Sequence, residues 1–255
     1  MNQQEFAEKK VLITGAGGGL GRALVGIFQA HGADVSVCDQ SSEALAGLTA
    51  QTRKIFNLRD HAETVAAAQA IVAEGYTPDI LINNAGWTRA ETMSALTPEN
   101  IHVEVNLNLT NVMSFTTIIV NEMAKRGSGS VVFISSVNAL THLGNPAYAA
   151  AKAGIDAFAK GVAVEYGKYG LRANVVCPGS IRTPAWDHRI SRDAAIPAKL
   201  ARIYPLGRIV ENTEVAEAVL FLASDRASGV TGVSLAVDAG LTAGNKPFID
   251  DILGS

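Results

Sequence analysis

The chain reads as an α/β fold, a doubly wound parallel sheet of about seven strands with helices on both faces. Three observations carry that reading. Short β-branched runs alternate with helical patterns along the whole length, which implies parallel strands with crossover helices. The runs are apolar throughout instead of at every second residue, as strands covered on both faces are. No repeat or low-complexity linker interrupts the alternation, so residues 1–255 are expected to form one domain.

The strands are expected at 11–14, 34–38, 54–56, 79–82, 131–135, 172–176 and 234–237. Helical patterns occupy 20–31, 42–50, 61–73, 98–125, 146–166 and 213–223. The interval from about 180 to 209 holds several prolines and basic residues and reads as an irregular flap over a substrate site. Residues 242–255 form a tail.

Composition narrows the function classes. Hydrophobic content is 48% and charged content 18%, as in an ordinary globular protein. A formal net charge of −3 gives no reason to expect nucleic acid as a partner. No apolar run approaches the roughly 20 residues of a membrane helix, and the first ten residues lack the apolar stretch of a secretory signal. Cys38 and Cys177 are far apart, outside any metal-ligand spacing, and suit buried free thiols in a reducing, cytoplasmic compartment. His31, His61 and His102 have no metal-ligand company, so no metal is expected.

Chemistry concentrates in two stretches. The first strand runs into Thr14-Gly15-Ala16-Gly17-Gly18-Gly19-Leu20-Gly21, and a helix follows. Glycines there let the backbone approach a pyrophosphate, and the helix N-terminus points its N–H groups at it. Asp39, at the end of the second strand, suits the two ribose hydroxyls of adenosine and would repel a 2′-phosphate, which favours NAD; an aspartate capping the next helix is the alternative. The second stretch is Ser135 to Lys152. Tyr148 and Lys152 stand four apart on one helix face, where an ammonium would stabilise the phenolate and lower the phenol's pKa towards neutral pH. Taken alone, that spacing fits a solvated helix face equally well.

In order and spacing these residues resemble the short-chain dehydrogenase/reductase family from about Lys10 to Leu241. The residues that carry the likeness are the glycine loop, Asn83-Asn84-Ala85-Gly86, Val105-Asn106-Leu107, Ile134-Ser135-Ser136, Tyr148-x-x-x-Lys152, Asn174 to Gly179, and Asp238-Ala239-Gly240. The resemblance implies a Rossmann fold and hydride transfer between NAD and a secondary alcohol or carbonyl. It implies Tyr148 as general base or acid, Ser136 orienting the substrate oxygen, Lys152 lowering the tyrosine and holding the nicotinamide ribose, and Asn106 maintaining a proton path. Ser135 is a rival for the serine role, because the loop to Tyr148 is one residue shorter than in many relatives. Gly15, Gly17, Gly19, Leu20, Gly21, Asp39, Asn57, Leu58, Asn84, Ala85, Gly86, Tyr148, Lys152, Pro178, Gly179, Ile181 and Thr183 would meet the cofactor. Asn57 stands where relatives often carry aspartate.

Substrate choice is expected from loops. Arg89, Asn138, His142, Arg182, Trp186 and His188 join Ser136 and Tyr148 as candidates, and they suit a sugar, polyol or anionic hydroxy compound. Flap charges that face solvent are the bland alternative. The family likeness also implies a homo-oligomer, dimer or tetramer, built through the 98–125 and 146–166 helices. Two rival functions stand beside the first: an NADPH-using reductase of 3-oxoacyl thioesters, and an NAD-binding regulatory protein without turnover.

Overall fold

A computed structural model describes residues 4–89, 92–182 and 184–254. Seven parallel strands form one sheet in the order β3-β2-β1-β4-β5-β6-β7. They are β1 (Lys10–Thr14), β2 (Asp34–Asp39), β3 (Arg53–Ile55), β4 (Ile80–Asn83), β5 (Gly129–Ile134), β6 (Leu171–Pro178) and β7 (Ser234–Val237). The chain winds outward from β1 in one direction and from β4 in the other. The C-terminal ends of β1 and β4 therefore border a crevice where the strand order reverses.

Alternate residues of each strand enter different cores. In β1, Val11 and Ile13 pack on one side and Leu12 on the other. The first side is covered by α1 (Gly19–Ala30) and α8 (Asn212–Ala223), with Leu24, Phe28, Val215 and Val219 buried. The second is covered by α2 (His61–Ala73), α4 (Asn111–Arg126) and α5 (Pro146–Tyr166), where Phe115, Ile119, Ile155 and Ala159 are buried. Burial on both sides is why the strands read as continuous apolar runs. Among the described residues no helix is long and apolar enough to cross a membrane.

Three segments depart from the sequence expectations. Residues 42–47 form turns in place of a helix. The carbonyls of Ala44 and Ala46, which a helix would use internally, accept the Arg22 guanidinium at 2.8 and 3.1 Å, and Gly47 turns left-handed at φ +76°. The 98–125 helix divides into α3 (Pro98–Val105) and α4, joined by a π-helical turn at Asn106–Thr110. One wide turn of this kind shifts the register of the side chains that follow it. The flap is not irregular, since it holds α6 (Pro184–Arg192) and α7 (Ile196–Ile203). Pro184 and Pro197 stand in first helical turns, where a missing N–H costs nothing, and Trp186 and Leu200 pack against the core. The tail forms short helical turns and is tied to α7 by an Arg202–Asp251 ion pair.

Candidate active site

The glycine loop lies at the crevice because no side chain fits where it passes. A Cβ on Gly17 would stand 2.4 Å from the Ala44 carbonyl oxygen, and one on Gly21 would stand 2.2 Å from the Gly15 carbonyl oxygen. Gly15 turns at φ +64°, with the Ala85 backbone 2.7 Å from where its Cβ would be. Thr14 joins β1 to β4: its Oγ1 accepts the N–H groups of Asn84 and Ala85, both at 3.1 Å. The Asn84 amide in turn donates to the carbonyls of Thr14 and Gly15 at 3.1 and 2.8 Å. The Asp39 carboxylate accepts from Gly17 N–H at 2.8 Å and from Gln40 N–H at 2.7 Å, which fixes the loop against the end of β2.

The result is a cleft of about 500 Å³. Gly15, Gly17, Gly19, Leu20, Gly21, Asp39, Asn57, Leu58, Asn84, Ala85 and Gly86 all line it. An elongated cleft with a glycine cradle, a helix N-terminus and a carboxylate at the far strand fits a dinucleotide. Pro178 closes β6 beside Val237, and Gly179 packs its backbone on Asp238. Ile181 bridges to Val210. Thr183 lies outside the described residues.

Gly86 leads to the second group. A Cβ there would meet Asn108 Oδ1 at 3.0 Å and Lys152 Nζ at 3.2 Å. Lys152 is buried, donates to the Ile134 carbonyl at 2.8 Å, and its ammonium lies 5.5 Å from the centre of the Tyr148 ring. The two serines separate clearly. Ser135 Oγ is buried and donates to the backbone carbonyl of Lys152 at 3.2 Å. Ser136 Oγ caps the following turn by accepting from Asn138 N–H at 3.2 Å, and it lies beside the Tyr148 phenol.

The electrostatics differ from the sequence expectation. Burial pushes the Tyr148 phenol up to about 12; the Ser136 hydroxyl pulls the other way, while Glu104 and Cys177 add to the rise. Burial draws the Lys152 ammonium down to about 8, opposed by Asp156 and Cys177. Lys152 is buried and Tyr148 half-buried, so desolvation holds each towards its neutral form.

Asn106 does not reach this group. Its amide lies 2.8 Å from His102 Nε2, one turn back on α3. The π-helical turn brings Asn108 inward instead, fully buried and beside Gly86 and Lys152. Glu104 was also missed from the sequence. It is a buried carboxylate on α3 that accepts from Arg89 N–H at 2.9 Å and from the Asn108 amide at 3.3 Å. Its signal was a lone acid between Val103 and Val105, four residues before Asn108.

The substrate candidates divide. Asn138 donates to the Gly144 carbonyl at 2.8 Å and so ties the loop above Ser136. Arg89 is exposed beside the Trp87 ring. Trp186 packs on the core with Arg189 over its ring. Arg182 is occupied by Asp187 at 2.9 Å and Glu211 at 3.7 Å, and His142 and His188 are exposed.

Likeness to known proteins extends over nearly the whole chain. A family described as enoyl-(acyl carrier protein) reductase matches residues 15–242. An uncharacterized oxidoreductase of Schizosaccharomyces pombe is 40% identical over 246 residues, covering 95% of this chain and 94% of that protein. A crystal structure of an oxidoreductase of the short-chain dehydrogenase/reductase family from Burkholderia thailandensis superposes with a TM-score of 0.87 at 38% identity, over 97% of this chain and 98% of that one. The chain belongs to the short-chain dehydrogenase/reductase family. A further family structure, a gluconate 5-dehydrogenase from Burkholderia cenocepacia in complex with NADP and tartrate, has a TM-score of 0.85 at 31% identity and covers 95% of this chain and 98% of that one. As a member, this protein is an oxidoreductase acting on CH–OH groups with a nicotinamide cofactor.

Proposed function

We propose that this short-chain dehydrogenase/reductase interconverts a secondary alcohol and its carbonyl with NAD, Tyr148 moving the proton at the substrate oxygen. The observation that carries this reading is the convergence of Ser136, Tyr148 and Lys152 on one point beside Gly86, which lines the dinucleotide cleft. The nicotinamide, when bound, accepts or supplies the hydride. In oxidation the phenolate of Tyr148 takes the hydroxyl proton, and in reduction the phenol returns it. Ser136 Oγ hydrogen-bonds the same oxygen and keeps it within reach. Lys152 holds the ribose hydroxyls and stabilises the phenolate, and Asn108 takes the place first given to Asn106.

The preference for NAD rests on Asp39. A 2′-phosphate would meet that carboxylate, and the nearby Arg22 guanidinium is held by the carbonyls of Gly17, Ala44 and Ala46. The proposed substrate is a sugar, polyol or hydroxy acid, supported by the polar Asn138, Thr141, His142 and Asn145 in the loop after Ser136 and by the gluconate neighbour. Of the two arginine candidates Arg182 is already paired, which leaves Arg89 for a carboxylate.

A panel of sugars, polyols, hydroxy acids and apolar secondary alcohols, scored for NADH and NADPH formation, tests the reading. Turnover of a polar member with NAD at least tenfold above NADP is expected. Preference for NADPH with a 3-oxoacyl thioester would move the assignment to a reductase of such thioesters. Cofactor binding with no turnover across the panel would favour a regulatory role.

A further inference from the structure

Beneath Lys152 lies a second buried carboxylate that the proton chemistry above does not use. Asp156 follows Lys152 by four residues on α5, one turn along the same face of the helix. It is 8% exposed. Its Oδ2 accepts from Ser234 Oγ on β7 at 2.8 Å and lies 3.8 Å from the Cys177 thiol. Its Oδ1 is buried without a hydrogen-bond partner among the described residues. A dry carboxylate satisfied at one oxygen only is costly unless a cation compensates it.

We propose that Asp156 is the buried counter-ion of Lys152, a positioning residue whose charge keeps the lysine an ammonium beneath Tyr148 and Gly86. This rests on the reading of Tyr148 and Lys152 as the pair that handles the proton. The groups around the lysine leave few alternatives. β5 offers the Ile134 carbonyl, and the π-helical turn brings Asn108 Oδ1 close to Gly86. α5 contributes Tyr148, whose phenol stays neutral, and β6 contributes Cys177, whose thiol burial pushes up to about 12. Glu104 on α3 acts on Tyr148 instead. Asp156 is therefore the formal negative charge that opposes the desolvation of Lys152. Without it, a lysine already drawn down to about 8 would fall further and lose much of the positive charge it offers a phenolate.

The test is an NMR titration of lysine labelled with ¹³C at Cε in the full-length, cofactor-free protein, the Lys152 signal being identified by its loss in Lys152→Met. Asp156→Asn should lower the Lys152 midpoint by about one pH unit, a tenfold fall in the ammonium-to-amine ratio above that midpoint. Asp156→Glu should leave it near the wild-type value. An unchanged midpoint in folded Asp156→Asn overturns the proposal. Should that variant not fold, the wild-type Asp156 ¹³Cγ signal decides: a carboxylate whose shift moves as Lys152 titrates supports the proposal, and a carboxylic acid or an uncoupled signal overturns it. No turnover is read, so failure of the dehydrogenase reading would leave this result intact, and the reverse also holds.

Discussion

The Asn108 side chain holds the Trp87 backbone in both directions, accepting its N–H at 3.1 Å and donating to its carbonyl at 2.8 Å. This link ties the π-helical turn to the strand end that carries Gly86, and so places the floor of the cleft next to Lys152. Asn108→Ala removes both bonds from a part-buried backbone, and each lost bond costs about 0.5–1.5 kcal/mol. The expected result is a fall in melting temperature and a loss of turnover of at least tenfold. Asn106→Ala should change either quantity little, because Asn106 lies against His102. Paired steady-state kinetics and thermal melts of the two variants check this, and equal loss in both would refute the assignment.

Glu104 works against the Tyr148 phenolate. Replacing it by glutamine keeps a hydrogen-bonding shape and removes the charge, so the phenol should ionise more readily. The acid limb of kcat/KM for alcohol oxidation should then move to lower pH in Glu104→Gln. A profile lowered equally at every pH, with its midpoint unmoved, would leave Glu104 a purely structural role.

Lys152 titrates at about 8 in the folded protein against an ordinary value of 10.5. Between those values the unfolded chain holds the proton and the folded one does not, so raising the pH favours folding. The penalty is present in full below pH 8 and gone above 10.5. Stability of the wild type relative to Lys152→Met should therefore rise by about 3 kcal/mol across that window. Urea unfolding at several pH values measures the slope, and a flat difference would mean that the lysine is not desolvated.

At Gly21 a methyl group would overlap the Gly15 carbonyl oxygen and the Ala16 backbone, neither of which has a free rotamer to adopt. Gly21→Ala should cost about 1–3 kcal/mol of stability. The displaced loop should also weaken NADH binding at least tenfold, as read by quenching of protein fluorescence. Unaltered binding would place the dinucleotide elsewhere.

Much of this was legible in the residues. The strands are buried on both sides, so their apolar runs stood out, and α5 begins at Pro146 where a proline at the first turn belongs. The glycine loop, Asp39, Tyr148 and Lys152 lie at one edge of the sheet because each stands at or beyond the C-terminal end of a parallel strand. What stayed hidden depends on register and on contacts distant in sequence. A π-helical turn cannot be read from 3.6-residue periodicity, so Asn106 stood in for Asn108. Arg22 captures the carbonyls near Ala44 from 22 residues away, which removed an expected helix. The Tyr148–Lys152 spacing said nothing about desolvation, which reversed the expected direction for the phenol.

The most direct test of the account is Tyr148→Phe, assayed with the best substrate of the panel and titrated with NADH. The phenol is the group held to move the proton, so kcat should fall by about 10²–10⁴-fold while NADH affinity stays within about twofold. Turnover near the wild-type rate in a folded, NADH-binding variant would contradict the assignment of Tyr148.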